Sequence, residues 1–418
     1  MREGWEIKKL GDVSNVQRGL TYGKNDTADY SENVVLRATN IKLESSSLDF
    51  DELKYLRDDF DIKDIYKLKV GSLLICFSSG SKNHLGKVAM VDKPYSAAFG
   101  GFIGQITPNE IINPRYLFYN LVSDNYRKYI SDLTDGMNIN NLKSGDLKQF
   151  PIPIPPLEEQ KQIVAILDKA FAVIDQAKTN IEKNIANAKE LFQSKLNDIF
   201  SQKGDGWEEK TLGEVCYVLN GYAFKSKESV EDSNTQLLRM GNLYKNVLDL
   251  SRKPVFYPDS YSNQYKDYLL KEGDLIMSLT GTVDKTDYGY TVKIPEVEVD
   301  LLLNQRIMKI EVHDSNILNK DYLKNYLLSP DFLMRLYDTS SGTRQANLSS
   351  RTILKLKINY PTDIDKQIEI VKLFKLLRGY SKNIEAKYQQ KLIDLEDLKK
   401  SILQKAFAGE LTKNAVAV

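Results

Sequence analysis

The sequence of 418 residues is poor in the residues that build disulfide frameworks, metal sites and histidine-dependent active sites. It contains two cysteines, Cys76 and Cys216, and two histidines, His84 and His313. Two cysteines without a Cys-x-x-Cys pair predict neither a disulfide framework nor a structural zinc site. This cysteine usage is typical of a cytoplasmic protein. A catalytic site built on histidine is not expected either.

Long hydrophobic runs and an excess of one charge are also missing. No segment approaches the roughly 18 apolar residues that a membrane span needs, and the first residues, MREGWEIKKL, do not resemble a signal peptide. We therefore expect no membrane partner. The formal net charge of +1 gives no global sign of a nucleic-acid partner, so any basic surface has to be local.

Catalytic motifs are absent as well. The chain has no GxxxxGK[ST] phosphate loop and no [DNS]PP[YFW] motif, which an amino-methyltransferase would use to hold its target nitrogen. The GGFIG segment (100–104) lacks the strand–turn–helix context of a dinucleotide site, so a hairpin explains it better. Pro258-Asp259 is not followed by the Glu-x-Lys spacing of a metal nuclease. We predict a binding or scaffold protein without a metal or cofactor of its own.

What the chain does contain is an internal repeat. The segment GWEIKKLGDVSNVQRGLTYGK matches GWEEKTLGEVCYVLNGYAFKS, and the only two tryptophans, Trp5 and Trp207, stand 202 positions apart. Arg37 and Arg239 keep the same separation. The chain is therefore predicted to be two copies of one unit, each a globular domain followed by a long helix.

The first long helix is predicted between Pro156 and Phe200. Apolar residues recur there in steps of three and four, a heptad pattern that no internal Pro or Gly interrupts. A helix of about 45 residues would be roughly 65–70 Å long. The predicted seam of this helix consists of Ile163, Leu167, Ile174, Ile181, Ile185, Phe192 and Leu196.

The second copy ends on a similar pattern between Ile370 and Phe407, in which Arg378-Gly379 predicts a local weakness or kink. Because a long amphipathic stripe needs a partner, we predict that the two helices form an antiparallel coiled coil. The alternative is two unrelated helices buried in separate domains. The predicted seam of the second helix consists of Ile370, Phe374, Leu377, Ile384, Leu392, Leu395 and Ile402.

The globular part of each copy is predicted to be mainly β. Segments 68–79 and 269–281 each carry a Gly turn followed by a short apolar run, as in a hairpin or a buried strand. SAAFGGFIGQITP and LLLNQRIMKIEV predict further strands, whereas residues 112–130 and 318–338 predict helices. The polar segments between these elements, including TGTVDKTDYG and SSGTRQANLSSR, are predicted as loops.

These loops carry Arg, Lys, Asn and Gln, the side chains that contact base edges and phosphates in DNA. Any one of them is compatible with an ordinary polar loop, but their recurrence in two repeated domains favours a nucleic-acid surface. The candidates are Arg18, Lys24, Arg37, Lys82, Asn83, Lys87 and Asn140 in the first copy, and Tyr222, Lys225, Arg239, Lys245, Lys285, Arg344, Gln345 and Asn347 in the second.

Two repeated positions receive specific roles. Arg37 and Arg239 are predicted to contact DNA, although equivalent arginines could instead form buried ion pairs that stabilise the fold. Lys24 and Lys225, after the opening strand of each copy, are predicted phosphate contacts. The two tryptophans are expected to pack in the core or between domain and helix, and not to stack on bases.

The motif GWE-x-K-x-LG-[DE]-V, followed by a Gly-aromatic-Lys segment, resembles the start of the target-recognition domain of type I restriction–modification specificity (S) subunits. FPIPIPPLEEQKQIV resembles the beginning of that family's conserved helix, and LKKSILQKAFAGEL its C-terminal end. The second helix departs from the pattern, since INYPTDIDKQIEIV lacks the double Pro and the Glu-Glu-Gln. The resemblance covers nearly the full length.

The resemblance implies an α+β fold with two mainly-β target-recognition domains, residues 1–155 and 204–361. Long helices in residues 156–203 and 362–412 would form an antiparallel coiled coil with approximate two-fold symmetry, before a tail at 413–418. Each domain would read one half of a split double-stranded DNA site. The coiled coil would set the spacer between the halves and dock partner subunits.

The resemblance also implies a non-catalytic subunit of a host-defence complex in the prokaryotic cytoplasm. Two modification subunits would use S-adenosylmethionine to methylate adenine N6, and two restriction subunits, where the system has them, would use ATP and Mg²⁺. Two other interpretations compete with this one. The chain could be a coiled-coil scaffold that does not bind DNA, or a degenerate stand-alone DNA methyltransferase, against which the missing methyltransferase motif speaks.

Overall fold

The computed structural model describes residues 4–134, 141–201, 204–282, 285–339 and 345–412, without the side chains of residues 345 and 346. It divides into two compact units. Unit 1 consists of Met1–Ile181 and Gln389–Val418, and unit 2 of Glu182–Tyr388. Each long helix therefore contributes one part to unit 1 and another part to unit 2.

The described residues of the first copy form ten strands, four short helices and one long helix. These are β1 (Glu6–Lys9), α1 (Leu10–Val13), β2 (Ser14–Arg18), β3 (Thr27–Ala28), β4 (Asn33–Leu36), β5 (Lys54–Leu56), β6 (Leu73–Cys76), β7 (Val88–Met90), β8 (Ala98–Phe99), β9 (Ile103–Pro108), α2 (Pro114–Leu121), α3 (Asp124–Thr134), α4 (Ser144–Leu147), β10 (Pro151–Ile154) and α5 (Leu157–Phe200).

The second copy repeats this order, with twelve strands and six helices in its described part. These are β11 (Trp207–Thr211), α6 (Leu212–Val215), β12 (Cys216–Asn220), β13 (Thr235–Leu238), β14 (Phe256–Tyr257), α7 (Ser260–Gln264), β15 (Leu269–Leu270), β16 (Leu275–Ser278), β17 (Thr280–Thr282), β18 (Thr291–Lys293), β19 (Asp300–Leu303), β20 (Ile307–Val312), α8 (Lys320–Leu327), α9 (Pro330–Asp338), β21 (Gln345–Asn347), α10 (Ser350–Ile353), β22 (Lys357–Pro361) and α11 (Ile364–Phe407).

Each unit is built around two four-stranded sheets in the same arrangement. Unit 1 has the antiparallel sheet β2-β9-β6-β7 and the mixed sheet β3-β5-β4-β8, in which β4 and β8 are parallel. Unit 2 has the corresponding sheets β12-β20-β16-β18 and β14-β13-β19-β15, with β13 parallel to β19. The predicted mainly-β repeat is confirmed.

The short apolar runs form the central buried strands, as predicted. In β6, Leu73 and Ile75 pack in a core with helices α2 and α5, whereas Leu74 packs in a second core with the mixed sheet. Because alternate side chains of a strand point to opposite faces, a strand between two cores has to be apolar at every position. In unit 2, Leu275 and Ile276 of β16 divide between two cores in the same way.

A repeated glycine lies where two main chains meet. A Cβ added at Gly19 would lie 2.3 Å from the carbonyl oxygen of Gly100, and one at Gly221 would lie 2.1 Å from that of Asn304. Both distances are far inside van der Waals contact. The repeat therefore retains glycine because no side chain fits against the neighbouring strand.

Each of the two predicted helical segments is in fact a pair of helices. Residues 112–130 fall in α2 and α3, and residues 318–338 in α8 and α9. The break comes at a serine whose hydroxyl accepts from the next turn: Ser123 from the N–H of Tyr126, and Ser329 from the N–H of Phe332. Such side-chain caps start a new helix, and Pro330 at the first position of α9 reinforces the break.

Two segments predicted as loops in the second copy form a small sheet instead. Strand β17 pairs antiparallel with β21, so that Thr280 lies opposite Asn347 and Thr282 opposite Gln345. The prediction was wrong because both strands are short and polar, and their pairing joins residues far apart in sequence. In unit 1 the equivalent contact is a single bridge between Ser78 and Asn141.

The two long helices run antiparallel, as predicted. In unit 1, Lys178 pairs with Glu396, and the Nζ of Lys399 lies 3.4 Å from Oδ1 of Asp175. The same register holds in unit 2, where the ring centroid of Phe200 lies 5.1 Å from that of Phe374. Helix α11 continues through Gly379 without interruption.

The predicted seam is buried or half-buried at every position except Ile384. That side chain is 41% exposed, and Glu385 instead faces the partner helix, with a carboxylate oxygen 3.9 Å from the Nζ of Lys189. Position 384 was predicted from its apolar side chain, but the helical phase turns it outward. The seam also includes Phe171, which the prediction missed and which is 6% exposed.

A buried glutamine anchors the start of each long helix. The amide nitrogen of Gln160 donates to the carbonyl oxygens of Ile111 and Pro155, and its amide oxygen accepts from the N–H of Asn113. Gln367 makes the corresponding three hydrogen bonds, with Ile317, Pro361 and Asn319. The helix starts are therefore anchored alike, although only the first has the double Pro and the Glu-Glu-Gln.

Among the described residues, none of the helices combines the length and the apolar character that a bilayer crossing requires.

Candidate nucleic-acid interface

The repeated arginines Arg37 and Arg239 directly follow strands β4 and β13. In both units the main-chain N–H of the arginine donates to the side-chain oxygen of an asparagine three residues later, at 2.8 Å to Asn40 and at 2.9 Å to Asn242. Each asparagine is buried, with 1% of its surface exposed. The main chain at both arginines is therefore held in the same position by the same contact.

The asparagine also ties this turn to the loop that follows it. The amide nitrogen of Asn40 donates to the carbonyl oxygens of Asp49 and Glu52 at 2.9 and 3.0 Å. That of Asn242 donates to the carbonyl oxygens of Asp249 and Arg252 at 2.8 and 3.0 Å. The repeated asparagine is thus structural, since it holds both the main chain of the arginine and the loop that follows.

The two guanidinium groups make only marginal contacts within their own units. Arg37 reaches the carbonyl oxygen of Glu52 at 3.5 Å, and Arg239 reaches that of Lys253 at 3.4 Å, both at the long limit of a hydrogen bond. Neither arginine forms an ion pair with a described carboxylate. The alternative of a fold-stabilising ion pair therefore finds no support in the structure.

In unit 2, Arg239 lines a cleft of about 500 Å³ together with Arg306. No carboxylate side chain lines this cleft among the described residues. Its polar lining comes from serine hydroxyls and amides, and its apolar wall from aromatic rings. The lining residues are Phe224, Ser226, Ser229, Leu237, Arg239, Met240, Gly241, Val255, Tyr257, Asn304, Gln305 and Arg306. Two positive charges without a carboxylate favour an anionic or electronegative ligand.

The corresponding region of unit 1 has different side chains. Tyr22 takes the place of Phe224, and its pKa is raised by burial, against which the positive charge of Arg37 acts. The turn between β8 and β9 consists of Gly100-Gly101-Phe102, and the equivalent turn between β19 and β20 of unit 2 consists of Asn304-Gln305-Arg306. The two units therefore share the same main-chain arrangement here but carry different side chains on it.

Arg18, at the end of β2, is engaged within unit 1. Its guanidinium lies 4.6 Å from the ring centroid of Phe77 and donates to the side-chain oxygen of Asn141 and the carbonyl oxygen of Leu142. The equivalent residue of unit 2, Asn220, donates instead to the hydroxyl of Ser350. Arg18 thus links β2 to the end of a neighbouring loop.

Lys82 and Asn83 are exposed in a short turn before β7, whereas Lys87 is only 6% exposed. Burial lowers the pKa of Lys87, against the raising effect of Cys76 and Glu44. Lys87 lines a cleft of about 440 Å³ whose other lining residues include Glu44, Asp49, Asp51 and Glu52. Because carboxylates repel phosphate, Lys87 has the least suitable surroundings of the candidates in unit 1.

The remaining candidates differ in how strongly they are engaged. The ring of Tyr222 packs against Phe224, Tyr265 and Tyr268 at 5.0–5.4 Å between centroids, so it belongs to an aromatic cluster. Lys225 lies 3.8 Å from a carboxylate oxygen of Glu228.

Lys24, Lys285 and Asn347 are exposed, and Lys245 lies 5.4 Å from the ring of Tyr244. The main chain of Gln345 lies in β21, but its side chain is outside the description. Asn140 and Arg344 lie outside the described residues altogether. No group of three or more His, Cys, Asp or Glu that could hold a metal ion occurs in the part of the chain that the structure describes.

The hairpin predicted at GGFIG (100–104) is wrong, because residues 100–102 form a turn between β8 and β9, which lie in different sheets. The equivalent turn of unit 2 was not predicted. Asn304, Gln305 and Arg306 lie in a segment whose apolar pattern predicts strands, yet they form the turn between β19 and β20. The signal was present, since these three polar residues interrupt the apolar run LLL-NQR-IM. In unit 1, Gly100-Gly101 marks the same turn.

Comparisons with known proteins agree with this picture. A family model described as the type I restriction modification DNA specificity domain matches residues 2–187 and 204–393. The chain is 28% identical over 436 residues to the EcoKI type I restriction enzyme specificity subunit of Escherichia coli, which covers 98% of this chain and 90% of that protein. It is 28% identical over 427 residues to the StySPI specificity subunit of Salmonella potsdam, with the same coverage.

Solved structures share the fold. A chain from a study of complex assembly and conformational transition of the type I R-M system has a TM-score of 0.72 at 18% identity, covering 98% of this chain and 99% of that chain. The HsdS subunit of Thermoanaerobacter tengcongensis has a TM-score of 0.57 at 18% identity, covering 98% of both chains. Since the family model matches both copies of the repeat, the chain belongs to the type I restriction–modification DNA specificity family, as a specificity subunit whose role is recognition and not catalysis.

Proposed function

We propose that each unit reads one half of a bipartite duplex DNA site, and that the paired long helices set the spacer between the halves. The observation that carries this proposal is the repeated arginine. Arg37 and Arg239 follow equivalent strands, are held by equivalent asparagines and form no ion pair with a described carboxylate. Arginine is the side chain that most often makes specific contacts with guanine, and it also binds phosphate.

A second part of the proposal concerns the modification subunits. Ile166 and Val173 of α5 are 39% and 64% exposed, and Leu373 and Tyr380 of α11 are 43% and 59% exposed. A separation of seven residues places each pair on one face of its helix. The pairs occupy equivalent positions of the repeat, one in unit 1 and one in unit 2. Two equivalent apolar patches would bind two copies of one partner, so we propose two modification subunits per chain.

The chemistry would then lie in the partners. The modification subunits would bind S-adenosylmethionine and receive the flipped adenine, and two restriction subunits, where present, would use ATP and Mg²⁺. This chain would hold no cofactor and would act in the prokaryotic cytoplasm. Its contribution is to position the complex on the DNA.

The adenine methylome of the source cell, measured with and without this gene, tests the recognition role. We expect one bipartite motif, two short half-sites around a constant spacer, to lose methylation when the gene is deleted. Single substitutions Arg37→Ala and Arg239→Ala should each lower methylation of that motif. An unchanged methylome, although the modification subunit is expressed and bound to this chain, would contradict the proposal.

The docking proposal has its own test. Val173→Asp should leave one modification subunit bound per chain, and Val173→Asp with Tyr380→Asp should leave none, as measured by the mass of the purified complex. Thr179→Asp and Ala386→Asp are the matched controls, because both positions are exposed and lie on another face of the same helices. Two bound subunits in the double variant would show that the patches are not the docking sites.

A further inference from the structure

We infer that Arg306 and Phe102, which occupy the same position in the turn that connects the two sheets of each unit, determine which bases each unit reads. Arg306 would bind the major-groove edge of a guanine in the half-site of unit 2. Phe102 would contact the methyl group of a thymine in the half-site of unit 1. The inference rests on the proposed bipartite recognition and specifies the chemistry of its two halves.

The hydrogen bonds of the main chain show that the two positions are equivalent. The N–H of Phe77 donates to the carbonyl oxygen of Phe102 at 2.9 Å, and the N–H of Leu279 donates to that of Arg306 at 2.9 Å. Phe77 and Leu279 are themselves repeat equivalents, since each is the first residue after its unit's central strand, β6 or β16. The side chains of Phe102 and Arg306 therefore extend from equivalent main-chain positions of the two units.

Both side chains are presented to solvent from a well-anchored turn. Phe102 is 69% exposed, which is unusual for a large aromatic ring. Arg306 is exposed, and its guanidinium has no hydrogen-bond or ion-pair partner among the described residues. The N–H of Arg306 donates to the side-chain oxygen of Asn304 at 3.1 Å, which fixes the turn. An immobilised main chain with an unengaged side chain is suited to recognition.

The surroundings of Arg306 favour an electronegative ligand. Arg239 lines the same cleft, no described carboxylate does, and Ser226 and Ser229 add hydroxyl groups. The major-groove edge of guanine offers two acceptors, N7 and O6, that match the two parallel donors of a guanidinium. Arg239, already directed towards the carbonyl oxygen of Lys253, is left to hold a neighbouring phosphate.

The surroundings of Phe102 are different. The two residues before it are Gly100 and Gly101, which contribute no side chain to the turn. An exposed phenyl ring offers no hydrogen bond to a base edge, but it makes apolar contact with the thymine methyl group, the one apolar feature of the major groove. The same turn would thus read a guanine through Arg306 in unit 2 and a thymine through Phe102 in unit 1.

The test is the methylome of cells that express the complete complex with Arg306→Ala, Arg306→Lys or Phe102→Ala. The motif methylated by the wild-type complex is determined first, because it tests bipartite recognition independently of these two residues. We expect Arg306→Ala to relax one guanine position in one half-site by roughly 5- to 150-fold, and Arg306→Lys to retain part of the preference. Phe102→Ala should relax one thymine position in the other half-site and leave the first half unchanged.

Binding of the purified complex to its motif at several salt concentrations separates base reading from phosphate contact. If Arg306→Ala weakened binding equally for all sequences and lowered the salt slope by about one unit, Arg306 would be a phosphate contact and the inference would be wrong. It would also be wrong if Phe102→Ala and Arg306→Ala relaxed positions in the same half-site. A motif that is bipartite yet unaffected by either variant would overturn this inference while leaving the proposed function intact.

Discussion

The two units of this chain share a frame and differ at its edges. Their sheets have the same order, their long helices start on the same glutamine contacts, and their repeated arginines are held by the same asparagine. The turn between the two sheets, in contrast, carries Phe102 in unit 1 and Arg306 in unit 2. The contacts that hold the frame are buried and repeated, whereas the side chains that reach solvent are free to diverge. The repeat therefore gives one scaffold with two different exposed surfaces.

The largest expected effect concerns the packing at the C-terminal ends of the two long helices, which differs between the units. Phe200, the last residue of α5, is 3% exposed and packs against Tyr322, Tyr326 and Phe374. Phe407, the last residue of α11, is only half-buried and has one aromatic partner, Tyr116, among the residues that the structure describes. We expect Phe200→Ala to cost about 3–5 kcal/mol and Phe407→Ala clearly less. Hydrogen exchange, resolved by unit, measures both; equal losses would contradict this difference in packing.

The repeated glycine should give equal effects in the two units. Gly19→Ala and Gly221→Ala each force a Cβ against a main-chain oxygen, which cannot move aside as a flexible side chain would. We expect each substitution to lower the free energy of unfolding of its unit by about 3 kcal/mol, at the upper end of the cost of overpacking. Gly145→Ala is the matched control, because nothing lies within 4 Å of a Cβ at that position. A strong effect in one unit only would show that the frames are not equivalent.

The glutamines at the starts of the long helices allow a second comparison of the two units, with a smaller expected loss of stability. Gln160→Ala and Gln367→Ala each leave two carbonyl oxygens and one N–H without their partner. We expect a loss of roughly 1–3 kcal/mol in each case, because unsatisfied buried polar groups keep their desolvation cost. Denaturant unfolding of the full chain measures it. A neutral result for Gln367 alone would mean that the double Pro before α5 matters after all.

The smallest expected effect concerns the predicted phosphate contacts. Lys24 has no ion pair with a described residue, whereas Lys225 lies 3.8 Å from a carboxylate oxygen of Glu228. We expect Lys24→Ala to reduce the salt slope of DNA binding by about one unit, and Lys225→Ala to reduce it by less, because its charge is already partly compensated. The measurement is an affinity series over salt with the assembled complex. Unchanged slopes for both variants would remove these lysines from the interface.

Much of the architecture followed from patterns that recur along the chain. The repeat of 202 positions, the buried strands after Gly71 and Gly273 and the heptad rhythm of α5 were all predictable, because each reports a local periodicity. The pairing of β17 with β21 was not predictable, since two short polar strands carry no periodic signal. The serine caps that divide the helical segments were readable in principle, but the apolar pattern on both sides concealed them.

For the candidate interface, the sequence indicated the type of residue and not its surroundings. The sequence alone did not distinguish Arg37, Lys87 and Lys24. In the structure, Arg37 lies beside a buried asparagine, Lys87 lies in an acidic cleft and Lys24 is exposed to solvent. Arg306 was overlooked because it stands inside an apolar run. Which polar side chain reaches solvent depends on the turn that carries it and on neighbours distant in sequence.

The sequence by itself determined that the chain is a duplicated unit, with a mainly-β domain and a long amphipathic helix in each copy, because composition and spacing encode these properties locally. Only the tertiary structure decided which side chains fill the seam, so that Glu385 replaces Ile384 and Phe171 joins it. It also decided that Arg306 and Phe102 stand at one equivalent position. Helical phase and the close approach of distant strands set these outcomes, and both arise only when the whole unit packs together.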